Sequence, residues 1–253
     1  MGRELTMCTQ VLNHGGFGKG RSMSTAIRDA SDSLARPAPA ATLELERLLV
    51  EGMAVRVGHG LPRSRPARGS VVLLTGRAEF IEKYEETVAD LTDAGFAVAT
   101  FDWRGQGGSD RYAGLARRGH VLRIEDYLLD LSTVLEHLER RHLPRPWLML
   151  GHSMGGHVGL RYLAEGPQRF QAAVLSAPMF GINLRPLPEA LAQAICRFMI
   201  GIGGGPLYAP GQRDFNPARL LYPTNKLTSC PERFEDFLRR VDAAPDLIVG
   251  GVT

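Results

Sequence analysis

A chain of 253 residues, 44% hydrophobic and 23% charged, carries enough apolar material for the core of one globular domain, which excludes disorder throughout. Thirty basic residues against 27 acidic ones leave a net charge of +3, spread along the chain rather than gathered into a tract. Nearly all the basic residues are Arg, with Lys only at Lys19, Lys83 and Lys226, so no nucleic-acid partner is implied. Cys8, Cys196 and Cys230 are odd in number and far apart, which points to reduced thiols rather than to disulfides or a zinc site. No apolar run approaches the roughly 18 residues of a membrane-spanning helix, and the expected address is the cytoplasm.

Residues 1–41 are rich in Gly, Ser, Ala and Pro without a sustained period and are read as a mobile leader in which Met23 could be the true start. His14 to Gly20 fails as a phosphate loop, because Asn13 replaces the first Gly and Gly20 follows Lys19. Met1 to Thr6 matches a myristoylation pattern too short to carry weight. Leu43-Glu44-Leu45-Glu46 and Met53 to Val57 alternate on either side of Glu51-Gly52, which predicts a hairpin at a sheet edge.

Beyond Gly69 short apolar runs alternate with helical patterns: Val71 to Leu74, Phe96 to Phe101, Trp147 to Leu150 and Ala172 to Leu175. Runs without polar alternation predict strands covered on both faces, hence a mostly parallel sheet in an α/β layer fold. Ile124, Tyr127, Leu128, Leu131, Val134, Leu135 and Leu138 mark one apolar helix face, and Tyr84, Val88 and Leu91 a shorter helix before Gly95. The core is assigned to residues 42–180. From 181 to 253 the alternation stops, and two helical patterns, Pro188 to Ile202 and Pro231 to Val241, predict a partial lid. Ser229 and Glu232 have the spacing of a capping box, and Gly203 to Pro206 reads as a helix stop.

Gly151-His152-Ser153-Met154-Gly155-Gly156 fits G-x-S-x-G, with a strand before it and a helix pattern, His157 to Leu163, after it. Such a turn presents the Ser153 hydroxyl at the carboxyl end of the sheet, with the Met154 amide placed as half an oxyanion hole. The second donor is expected from Thr75 to Phe80, where Gly76 allows close backbone approach.

Leu74 to Tyr84 resembles the oxyanion-loop motif of the lysophospholipase and monoacylglycerol lipase group, the serine aminopeptidase-type hydrolases. Asp102-Trp103-Arg104-Gly105-Gln106-Gly107-Gly108-Ser109 is similar to that family's D-x-R-G-x-G-x-S loop, and Gly151 to Gly156 to its nucleophile elbow. The G-R-x-E-F form of the oxyanion loop resembles the bacterial lysophospholipase L2 branch. The resemblance implies an α/β-hydrolase fold, no metal or organic cofactor, a small lipid or ester substrate and peripheral contact with a membrane surface. It makes Ser153 the nucleophile, the amides of Arg77 and Met154 the oxyanion donors, and Gly151, His152 and Gly155 the elbow. It also implies structural roles for Asp102 and Arg104, as a buried ion pair that fixes the loop with a site role as the alternative, a packing role for His152 and a bracing role for Glu79.

A serine of this kind needs a histidine base and an acid, in the order Ser, acid, His. After Ser153 the sole histidine is His157, four positions on and one helical turn away. His14, His59, His120, His137 and His142 precede the serine, and Asp214, Asp236, Asp242 and Asp246 fall in the lid. The expectation is therefore a sheet whose last strands are missing. The alternative to a working esterase is a catalytically incomplete fragment or pseudoenzyme. Leu187, Leu191, Ile195, Phe198, Met199 and Ile200 could line an acyl chain or pack the lid on the core.

Overall fold

The computed structural model describes residues 43–62, 66–182, 184, 186–222, 225 and 228–253. The leader assigned to residues 1–41, with Cys8, His14 and Met23, lies outside them, as does Lys226. β1 (Glu44–Val50) and β2 (Met53–Gly60) form the expected hairpin, Val50 pairing with Met53. Its two-residue turn puts Glu51 at φ 46° and Gly52 at φ 82°, the double left-handed geometry whose twist suits a tight hairpin. β1 is an edge strand, and Leu49 is left 69% exposed.

β3 (Ser70–Leu74), β4 (Ala97–Phe101), β5 (Trp147–His152) and β6 (Ala172–Ser176) follow, giving a six-stranded sheet in the order β1-β2-β4-β3-β5-β6. β2 runs antiparallel to β4, and the last four strands are mutually parallel. The alternation of side chains in β3 to β5 divides two cores. Val72, Leu74, Ala99, Phe101, Trp147 and Met149 meet α2 (Ile124–Arg140) and α3 (Ser153–Glu165) through Leu131, Leu135, Leu138, Met154 and Val158. On the opposite face Leu73 and Val98 meet Val88 of α1 (Glu85–Asp93). This two-sided cover is why the strands carry unbroken apolar runs.

β6 departs from the expectation of burial on both faces. It forms and pairs with β5, yet its first three residues are exposed, Val174 by 53%, because no described element covers them. In the region expected as a lid, α4 (Glu189–Gly201) buries only Ala192, whereas α5 (Pro231–Ala243) buries Phe234 and Val241. α5 is also tied down by Arg233 to Glu86 at 2.8 Å and by Arg240 to Glu85 at 2.6 Å. The Ser229–Glu232 capping box is not formed. Pro231 takes the first helical position and makes Cys230 the N-cap, and the Glu232 carboxylate accepts from Cys230 Sγ at 3.0 Å.

Candidate active site

The parallel register brings three loops to one end of the sheet. Leu74 of β3 pairs with Phe101 of β4 on one side and with Gly151 of β5 on the other, so the segments after these strands emerge together. β5 ends at His152 and α3 begins at Ser153, with no residue between them. Ser153 makes this bend at φ 50°, a left-handed conformation that costs a non-glycine residue on the order of 1 kcal/mol and marks a site that the surroundings hold in place.

The glycines make the bend sterically feasible. A Cβ on Gly151 would lie 2.8 Å from Gly156 Cα, and one on Gly155 would lie 2.4 Å from the carbonyl oxygens of both Leu74 and Thr75. α3 therefore starts directly against the end of β3. Ser153 is partly exposed, and its carbonyl accepts from Met179 N at 3.0 Å, which ties the loop after β6 to the bend. As the first residue of a 13-residue helix it also lies at the positive end of the helix dipole.

The loop after β3, expected to supply an oxyanion donor, is fastened at almost every residue. Trp103 Nε1 donates to Thr75 O at 2.9 Å, Gly76 N to Glu79 Oε2 at 2.6 Å, and Ala78 N to Gln106 Oε1 at 2.5 Å. Among the described residues, the backbone amides of Arg77 and Met154 have no internal partner. They are the two positions expected as oxyanion donors. Glu79 also accepts from Lys83 Nζ and from the Tyr84 hydroxyl. Burial pushes the Glu79 carboxyl up, but Lys83 and these hydrogen bonds outweigh it and hold the group below the usual range.

Asp102 and Arg104 do not pair with each other. Asp102, fully buried, accepts from Arg56 Nε at 2.7 Å, Gly108 N at 2.7 Å and Ile81 N at 2.9 Å, which ties β2 and the oxyanion loop to the loop after β4. Burial pushes its carboxyl up to about 6 against the opposing pull of Arg56. Arg104 is held by Asp130 of α2, at 2.6 and 2.9 Å. Each sits in a buried ion pair of its own, in place of the pair expected between them.

His152 is not packed away. Its ring is partly exposed, with Nδ1 3.2 Å from Ser176 O and Nε2 4.0 Å from Glu79 Oε1. No described histidine is hydrogen-bonded to Ser153. His157 is half-exposed on α3, His137 lies 2.8 Å from Glu46, and His120 Nδ1 lies 2.8 Å from Thr253 Oγ1. Among the carboxylates after residue 180, Asp214 meets Tyr208 and Arg117, and Asp236 meets Arg239 and Arg240.

The Arg77 side chain turns away from its own amide and donates to Gly250 O at 3.0 and 2.6 Å. Arg111 Nη2 donates to Asp246 O at 3.0 Å, and Arg117 O accepts from Gly250 N at 2.8 Å, so residues 246–250 form a strap over this end of the sheet. A cleft of about 430 Å³ beside it is lined by Arg111, Arg117, Asp214, Phe215, Val241 and Asp246, and not by Ser153. Among the described residues no cluster of His, Cys, Asp or Glu is arranged to hold a metal ion, and no helix is long and apolar enough to cross a membrane.

Sequence reasoning missed Arg56, Trp103, Gln106 and Asp130 as the side chains that hold these loops. Trp103 and Gln106 lie at variable positions inside the D-x-R-G-x-G-x-S loop, which places them near the site without giving either a role.

A parallel sheet with helices on both faces and a strained serine at a strand-to-helix bend defines an α/β-hydrolase. Solved structures bear out that fold. Yeast monoglyceride lipase (Saccharomyces cerevisiae) superimposes with a TM-score of 0.62 at 19% identity, over 86% of this chain and 67% of that one. Monoacylglycerol lipase of Paleococcus ferrophilus gives 0.53 at 22% identity, over 83% and 66%. The profile described as serine aminopeptidase, S33, matches residues 65–252, and the chain belongs to that family of hydrolases. Lysophospholipase L2 of Escherichia coli K12 is 36% identical over 193 residues, 72% of this chain and 53% of that protein. A probable lysophospholipase L2 of Haemophilus influenzae is 32% identical over 196 residues, 77% and 60% respectively. The monoacylglycerol lipase of Mycolicibacterium smegmatis is 31% identical over 137 residues, 53% of this chain and 47% of that protein. The chain thus spans about half to three-fifths of the length of these relatives.

Proposed function

We propose that this protein is a serine ester hydrolase that cleaves lipid monoesters of the lysophospholipid or monoacylglycerol type through an acyl-enzyme on Ser153. Ser153 Oγ attacks the ester carbonyl carbon, and the oxygen that becomes negative is received by the amides of Arg77 and Met154. Collapse expels the glycerol-bearing alcohol, which takes up the serine proton, and water then releases the fatty acid. This chemistry calls for no metal or organic cofactor. The single observation that carries the reading is the φ of 50° at Ser153, between the last residue of β5 and the body of α3. The substrate class is supported by the names of the relatives. It is also supported by α4, whose exposed Leu191, Ile195, Phe198 and Ile200 suit an acyl chain or a lipid surface.

A second reading rests on the histidines: none of those described meets Ser153, so the chain keeps the nucleophile and oxyanion donors but not the base that activates them. The test offers the purified chain lysophosphatidylethanolamine and a monoacylglycerol in mixed micelles, beside a peptide p-nitroanilide. Release of fatty acid that vanishes in Ser153→Ala supports the esterase, and amide cleavage redirects the substrate class. No release from any of them supports the second reading.

A further inference from the structure

We infer that Gln106 is the positioning residue of the oxyanion hole. The inference rests on the serine-hydrolase reading and adds a group that neither the family motif nor the sequence singles out. Gln106 is fully buried, and its two amide ends have different duties: Oε1 accepts from Ala78 N at 2.5 Å, and Nε2 donates to the Tyr127 hydroxyl at 3.0 Å. Tyr127 is buried on α2, so the side chain joins the oxyanion loop to the helix beneath the sheet.

The donor at issue is the Arg77 amide, and its direction is set by the peptides on either side. Glu79 pins the amide of Gly76, before it, and Gln106 pins the amide of Ala78, after it. Ala78 is held at φ 57°, a left-handed conformation that a residue with a Cβ leaves when nothing retains it. Rotation of the Arg77–Ala78 peptide relieves that φ and breaks the Ala78 N bond. It then shifts the Arg77 Cα from which the donor amide is hung. The bond from Gln106 opposes this rotation, and donation to Tyr127 keeps the Gln106 amide from presenting its NH₂ to Ala78 N. A donor displaced from the developing negative charge costs rate without costing affinity, because the ground-state ester asks little of it.

The test compares the wild-type chain with Gln106→Met, which keeps the volume and loses both polar ends, with Gln106→Asn, which keeps the amide but shortens its reach, and with Gln106→Glu, which keeps an acceptor at full length. Each is exposed to a fluorophosphonate, and the saturating rate and half-saturation concentration for Ser153 modification are read beside amide hydrogen exchange of residues 75–80 and the thermal midpoint. The expected result for Gln106→Met and Gln106→Asn is a rate lower by about 10- to 100-fold at unchanged half-saturation, with exchange in the loop at least about tenfold faster. Gln106→Glu should recover most of the rate. Folded Met and Asn variants with wild-type rate and wild-type exchange overturn the inference. If only Gln106→Asn folds, its rate and exchange decide alone. If the wild-type chain is not modified at Ser153, the esterase reading fails separately, and exchange decides the inference: faster loop exchange in the variants supports it and unchanged exchange overturns it.

Discussion

The middle of the sheet and its β6 edge behave differently. β3 and β6 are both five-residue apolar parallel strands flanking β5, yet every residue of β3 is buried, while the first three of β6 face solvent. The contrast extends to the segments they lead into. The loop after β3 has its backbone fastened by Trp103 and Gln106 of the loop after β4 and by its own Glu79, whereas α4, beyond β6, buries a single alanine. What separates them is cover. β3 is sandwiched between α1 on one face and α2 and α3 on the other, and an apolar run makes a rigid platform only where partners meet it on both sides. The proposed nucleophile is mounted on the covered half, and the exposed apolar surface of α4 lies on the other.

The largest effect on stability should come from the buried pair behind the platform. Asp130→Ala leaves the buried Arg104 guanidinium without its hydrogen-bonded partner, with only Asp126 at 3.8 Å as a counter-charge, and should cost about 3–5 kcal/mol in chemical denaturation. Leu131→Ala, in the core shared by α2 and the sheet, should cost about 2–5 kcal/mol. Gly155→Ala forces a Cβ to within 2.4 Å of two carbonyl oxygens and should cost about 1–3 kcal/mol while slowing Ser153 modification sharply.

Glu79 gives a smaller, pH-dependent effect. Its folded pKa lies below its ordinary 4.5, so it contributes stability above that pH and loses the contribution as pH falls through the folded value. The stability gap between wild type and Glu79→Gln should therefore narrow steadily in unfolding curves taken below about pH 4.5. On the uncovered side, Val174→Ala and Phe198→Ser should stay within about 0.5 kcal/mol of wild type. A loss as large as that of Leu131→Ala at either position would show that this side is packed in solution.

Much of this was legible in the sequence, and the limits have a common cause. The hairpin at Glu51-Gly52, the strands, the helix face from Ile124 to Leu138 and the bend at Ser153 are written in short-range patterns, and they stand where those patterns put them. Partners brought together by tertiary folding are not written that way. Arg56 meets Asp102 across 46 residues, Asp130 meets Arg104 across 26, and Gln106 reaches Ala78 across 28. The exposure of β6 was equally invisible, because its sequence reads like that of a covered strand. The misread cap at Ser229 shows a local signal losing to a stronger one, since Pro231 fits the first helical position and moves the N-cap to Cys230.

The proposed activity requires Ser153 to be a nucleophile held at a preformed oxyanion hole. Incubation of the wild-type chain and Ser153→Ala with a fluorophosphonate, followed by intact mass and peptide mapping, tests this directly. One adduct per chain on the Ser153 peptide, absent in Ser153→Ala, is the predicted result. An unmodified wild-type chain, or an adduct that persists in Ser153→Ala, would contradict it.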